Sequence, residues 1–125
     1  MYTVTVIRDF MAQHYLIGGD WGDENNWHTH HYEVEVQLQG KQLDRHGYLV
    51  DIVEIEDALS QVIWYFKDKT LNELPEFNQL NPSIEHFSRI IGEMFARKIS
   101  TQNLTALVLK LWEHEAAWAS YTLKF

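Results

Sequence analysis

Apolar residues occupy alternate positions at Tyr2, Val4 and Val6, with Thr3 and Thr5 between them. This two-residue period predicts a strand that runs on toward Phe10 and His14. The stretch Gly18-Gly19-Asp20-Trp21-Gly22-Asp23-Glu24-Asn25-Asn26 has loop composition and lacks the Asp spacing of a calcium loop. Alternation resumes with Tyr32, Val34, Val36 and Leu38 against Glu33, Glu35, Gln37 and Gln39, predicting a second strand from about His28 to Leu38, ended by Gly40. The period then changes. Ile52, Ile55, Leu59, Val62, Ile63 and Phe66 share a helical face, and Asp51 with Glu54 forms a capping-box-like start. After a connection over 67–75, Asn81-Pro82-Ser83 opens a second helix, with Pro82 suited to its first turn. Ile84, Phe87, Ile91, Met94 and Phe95 form its apolar face, and Gly92 weakens it unless close packing requires a glycine. Leu107-Leu109-Leu111-Glu113 and Ala117-Ala119-Tyr121-Leu123 give a third and fourth strand around a turn at His114-Glu115-Ala116.

The order is ββααββ. Short connections at both ends of the chain favour antiparallel hairpins, and two helices can cover only one face of the sheet. The expected class is α+β: a four-stranded antiparallel sheet with two helices on one face, in a single domain spanning 1–125. The opposite face should be polar, with Glu33, Glu35, Gln37 and Lys110. Exposed sheet edges and a wet second face predict a homo-oligomer, a trimer or a dimer of trimers, in which joined sheets close into a barrel.

Charge and composition narrow the function. The formal net charge of −8 argues against nucleic acid as a partner, because phosphate binding needs clustered Lys and Arg. An anionic substrate would depend on local cations or a metal. No apolar run approaches a membrane span, and no charged n-region precedes an apolar stretch, so neither a membrane partner nor a secretory signal is expected. Cysteine is absent, which removes thiolate chemistry and Cys-type metal sites and fits a cytoplasmic location.

The candidate chemistry lies in Trp27-His28-Thr29-His30-His31-Tyr32. Residues two apart on a strand project to the same face, so His28 and His30 can act together, while His31 points away. His14 on the neighbouring strand is a third candidate. Three histidines leave a fourth position open for water or substrate, as in catalytic zinc sites. By strand parity Glu113 lies on the same side, where a carboxylate needs partners.

These motifs together resemble the 6-pyruvoyltetrahydropterin synthase and 6-carboxytetrahydropterin synthase family, whose fold is the T-fold. The resemblance covers nearly the whole chain. An early F-x-A-x-H is matched by Phe10, Ala12 and His14, and H-G-H-x-Y by His28, His30 and Tyr32. A G-x-x-x-D is matched by Gly47 and Asp51, L-N by Leu71-Asn72, and N-P-[ST]-x-E by Asn81 to Glu85. A strand-terminal Glu before an aromatic strand is matched by Glu113 and Tyr121.

The resemblance implies a lyase that uses zinc (Zn2+) on the side chain of 7,8-dihydroneopterin triphosphate or a related small-molecule dihydropterin. It implies His14, His28 and His30 as zinc ligands and Glu113 as the anchor of the pterin ring. The proton-transfer residues depart from the family pattern. Glu24 stands where the family has a catalytic Cys, four residues before the first His of the H-G-H motif, and the Gly of that motif is Thr29. Lys67-Asp68 replaces an Asp-His pair. Glu24 and Asp68 are therefore the candidate bases. The alternative is a pterin- or purine-binding protein that keeps the pocket without this chemistry.

Overall fold

The computed structural model describes all residues, Met1–Phe125. Its elements are β1 (Tyr2–His14), β2 (His28–Gly40), α1 (Ile52–Phe66), α2 (Ile84–Ala96), β3 (Ala106–His114) and β4 (Ala117–Lys124), with short 3-10 turns at Gly22–Asn25, Leu71–Glu73 and Pro75–Phe77. The strands form one antiparallel sheet in the order β1-β2-β3-β4. In the β1–β2 hairpin Phe10 lies opposite Tyr32 and His14 opposite His28. The register thus stacks three imidazoles at the loop end of the hairpin, above an apolar floor.

Alternation decides the faces. Val6, Phe10, Tyr32, Val34, Val36, Leu107, Leu109 and Leu111 point to the helices and are buried. Phe87 of α2 fixes the centre of this core. Its ring lies 5.1 Å from those of Tyr32 and Phe66, 5.6 Å from Phe77 and 6.0 Å from Phe10, all edge-on. Edge-to-face pairs satisfy the quadrupoles of neighbouring rings. Gly92 has the packing reason that the sequence left open. A Cβ there would meet Leu123 Cδ1 at 3.3 Å and Leu109 Cβ at 3.4 Å, so the glycine lets α2 lie close on β3 and β4. Gly40 is required for a similar reason: a Cβ would come within 2.5 Å of both Asn103 O and Leu49 Cδ1.

Three local expectations change. Ile52 is 49% exposed, because the buried stripe of α1 centres on Ile55, Leu59, Val62 and Phe66 and leaves position 52 at its margin. The capping box at α1 is half formed: Asp51 accepts from Val53 N–H, but Glu54 accepts from Ser100 N–H instead of returning to Asp51. Pro82 precedes α2 instead of entering its first turn. Ser83 is the N-cap and accepts from His86 N–H at 3.2 Å, so the helix begins at Ile84.

The second face of the sheet is polar, as expected. Gln37 donates to Glu35 at 2.7 Å, and Lys110 Nζ lies 4.0 Å from Glu35 and 3.9 Å above the Trp118 ring. The outer edge of β4 is unpaired in the single chain, and that of β1 is paired only near its end, where Met11 O accepts from Asp68 N–H and Gln13 N–H donates to Lys69 O.

Candidate functional site

His14 ends β1, and His28 and His30 begin β2, so sheet register alone brings the three rings together, with centroids 4.6–4.8 Å apart. Backbone carbonyls then orient two of them. His14 Nδ1–H donates to Pro82 O at 3.0 Å, and His28 Nδ1–H donates to Asn26 O at 2.7 Å. These bonds fix the neutral tautomers and turn the Nε2 lone pairs inward. The result is a cluster of Nε2 atoms, with His14 and His28 separated by 2.9 Å and His28 and His30 by 3.0 Å.

Two lone pairs facing each other at that distance repel unless a cation lies among them. A proton on His14 is a poor solution. Burial, helped by the neighbouring His30 and His28, lowers its pKa from 6.5 to about 4, against the opposing pull of Glu113 and Pro82. A divalent metal fits better. Ligand atoms at ~2.0–2.1 Å from a tetrahedral zinc are about 3.3 Å apart, close to the spacing here.

Two of the three candidate carboxylates, Glu24 and Glu113, reach the cluster. Glu24 Oε2 lies 3.0 Å from His28 Nε2, and ligand atoms of His14, Glu24, His28 and His30 all fall within 4.8 Å of one another. Glu24 thus stands on the fourth side, which the sequence reading left open. Glu113 Oε1 lies 2.9 Å from His30 Nε2 and 3.7 Å from His14 Nε2. The β3–β4 register shifts between Trp112 and His114, and Glu113 sits in that irregularity. Such a bulge re-aims a side chain at a strand end. The hydrogen bond from His30 holds the Glu113 carboxyl below the usual carboxylate range, against burial. Tyr32 lies beneath, its OH 3.4 Å from His14 Nδ1, and burial followed by the charges of Glu113 and Glu24 keeps its phenol protonated.

Asp68 is placed elsewhere. It is exposed just past α1 in a left-handed conformation (φ 59°), with its N–H on Met11 O at 2.8 Å, and it belongs neither to the histidine cluster nor to the cavity above it. That cavity, about 380 Å³, is also lined by Trp21, Asn81, Ser83, Glu85 and His114.

Periodicity did not expose these lining residues, although Asn81, Ser83 and Glu85 belong to the N-P-[ST]-x-E match. Their structural work is visible here. Asn81 Oδ1 accepts from Ile17 N–H at 2.9 Å. Asn72 brackets Tyr15, accepting from its N–H at 3.0 Å and donating to its carbonyl at 2.8 Å. Asn25 donates to Leu16 O and Gly19 O, both at 3.0 Å. Side-chain amides therefore pin the loop between β1 and β2, which holds Glu24 beside His28.

A sequence profile described as 6-pyruvoyl tetrahydropterin synthase matches residues 3–124. The chain belongs to this family. Among solved structures it is similar to the Caenorhabditis elegans 6-pyruvoyl tetrahydropterin synthase, with 20% identity and a TM-score of 0.81 over 99% of this chain and 95% of that one. The Plasmodium falciparum enzyme is similar at 12% identity and a TM-score of 0.82, covering 99% of this chain and 98% of that one. A Plasmodium vivax synthase described as a catalytic-residue mutant, with Ala in place of Glu, aligns over 100% of both chains at 13% identity and a TM-score of 0.79. These likenesses establish the T-fold. No curated protein sequence gives a significant match. Within the synthase family frame, the cluster of His14, Glu24, His28 and His30 is the group that could hold a metal ion.

Proposed function

We propose that this protein is a zinc-dependent lyase acting on the hydroxylated side chain of a dihydropterin, 7,8-dihydroneopterin triphosphate or a relative of it. The observation that carries this reading is the convergence of three imidazole nitrogens with a carboxylate on either side, Glu24 at 3.0 Å from His28 and Glu113 at 2.9 Å from His30. Family membership supplies the reaction class.

In this reading His14, His28 and His30 hold zinc through Nε2. Zinc bound there would make side-chain hydroxyls more acidic. Glu113 accepts from the paired N–H groups of the pterin ring, a task that suits an ionised carboxylate. Glu24 is the base, and its side chain, 52% exposed, is free to turn from His28 toward substrate. The Plasmodium vivax relative, in which a glutamate is the catalytic residue, supports a carboxylate in this role. Asp68, the other candidate base, lies outside the cluster and its cavity.

The test is a pair of variants assayed with 7,8-dihydroneopterin triphosphate and 7,8-dihydroneopterin. Glu113→Ala should abolish binding of both. Glu24→Gln should keep binding and lose ~10²–10⁴-fold in turnover, the usual worth of a general base. Turnover by Glu24→Gln at the parent rate would show that Glu24 is not the base. Failure of the parent to bind either compound would refute the dihydropterin reading. One observation favours the alternative of a binding protein without turnover: Glu24 fills the side of the cluster that an open zinc site leaves free. Firm binding with no product from the parent protein would select it.

We also propose assembly into trimers, or stacks of two trimers, joined through the free edges of β1 and β4. A monodisperse monomer in sedimentation at micromolar concentration would contradict this.

A further inference from the structure

In the proposed reading zinc takes the ligand's side chain and Glu113 takes one edge of its ring. A bicyclic pterin also has two broad faces, where most of its surface lies. Beside the imidazoles, the wall of the cavity above the histidine cluster has one aromatic ring, the indole of Trp21, and two aliphatic side chains, Leu16 and Ile84. Trp21 is 46% exposed and stands outside the hydrophobic core, so core packing does not account for it.

The loop around Trp21 holds it in place. Trp21 N–H donates to Asn25 Oδ1 at 2.7 Å, while Asn25 Nδ2 donates to Leu16 O and Gly19 O. One amide thus ties three points of the loop to the base of the indole. Gly19 is fitted to the ring itself. A Cβ there would lie 2.6 Å from Trp21 Cη2 and 3.0 Å from both Cζ2 and Cζ3. Gly19 is not among the left-handed glycines, so its backbone does not require the residue. What requires it is the indole, which rests on the loop at Gly19 and lines the cavity with the rest of its surface. Trp21 also leads into the 3-10 turn Gly22–Asn25 that carries Glu24, and Glu24 N–H donates to Trp21 O at 3.4 Å. Indole and candidate base therefore move as parts of one turn.

We propose that Trp21 is the stacking platform for the pterin ring, and that the turn it shares with Glu24 sets the base against the side chain of a stacked ligand. This rests on the dihydropterin reading above and adds the residue that recognises the face of the ring. The division of labour is physical. Stacking on an indole selects a flat π system whatever its hydrogen-bond pattern, whereas a carboxylate at the edge reads that pattern.

The experiment is calorimetric titration of the intact protein with 7,8-dihydropterin, which has the ring but no side chain to react. Trp21→Ala should weaken binding about tenfold to a hundredfold, the usual worth of one base stacked on an aromatic side chain. Trp21→Leu keeps apolar surface without a π face and should lose nearly as much, whereas Trp21→Phe should stay within about threefold of the parent. Gly19→Ala should weaken binding severalfold by displacing the indole, and should have no further effect when added to Trp21→Ala. Parent affinity in Trp21→Ala or in Trp21→Leu would overturn the platform and leave the dihydropterin reading standing. A full loss from Gly19→Ala in the Trp21→Ala protein would also overturn it, since Gly19 would then act through the loop and not through the indole. Absence of 7,8-dihydropterin binding by the parent would overturn the platform as well, and the titrations with 7,8-dihydroneopterin and its triphosphate then decide the dihydropterin reading separately.

Discussion

Acid should destabilise the metal-free protein through His14 in a way that can be isolated. The ring is 1% exposed and bonded to Pro82 O, and its pKa falls from 6.5 to about 4 on folding. As pH drops below 6.5 the unfolded chain takes up a proton at this position, whereas the folded chain does so only near 4. The unfolded state therefore binds more protons throughout that window, and stability is lost as pH falls across it. The full shift corresponds to roughly 3 kcal/mol, of which about 2 kcal/mol is lost between pH 7 and pH 5. That is a large part of the ~5–15 kcal/mol that holds a typical domain together. The assay is urea unfolding of chelator-treated protein at pH 7, 6 and 5, compared with His14→Gln, which cannot titrate. Groups distant from His14 contribute to both curves and cancel in the difference. His14→Gln should lose about 2 kcal/mol less than the parent between pH 7 and 5. Parallel pH profiles, within about 0.5 kcal/mol, would show that His14 accepts a proton in place and would refute the reasoning.

Other predictions follow from the packing and the loop. Phe87→Ala removes the ring shared by Phe10, Tyr32, Phe66 and Phe77 and should cost about 3–5 kcal/mol in urea unfolding. Gly92→Leu should cost ~1–3 kcal/mol by overpacking α2 against Leu109 and Leu123, whereas Gly92→Ala should be near neutral because helix propensity offsets a tight contact. Asn72→Ala leaves both backbone groups of Tyr15 without their partner and should cost roughly 1–3 kcal/mol. The same change should speed hydrogen exchange at Tyr15, and lower turnover by loosening the loop that holds Glu24.

The fold was legible because the chain's two periods do not overlap. Two-residue alternation places Val34 and Val36, and helical spacing places Phe87 and Phe95, all buried where each pattern predicts. Parity likewise put His28, His30 and Glu113 on one face, because strand geometry leaves a side chain little choice of direction. What the pattern missed depends on backbone. Nothing in side-chain order announces that Pro82 O and Asn26 O orient two imidazoles, since carbonyls are present at every residue. Pro82 lies outside α2 because Ser83 caps the helix by accepting from His86 N–H, while the side chain of Asn81 accepts from Ile17 N–H instead. The motif residues Asn72 and Asn81 matched as letters, and their function as clamps on the β1–β2 loop required the partners Tyr15 and Ile17, more than fifty residues away in sequence. Asp68 shows the converse. Its place in the aligned order suggested a base, but the turn after α1 directs it to solvent, outside the cluster.

A metal held by the histidine cluster underlies the proposed chemistry. X-ray absorption at the zinc edge, on protein given zinc and then dialysed, tests it most directly. The expected result is one zinc per chain with three imidazole nitrogens at ~2.0–2.1 Å and one oxygen, and loss of the metal in His28→Ala with the fold retained. Zinc that is washed out of the parent protein, or retained unchanged by His28→Ala, would contradict it.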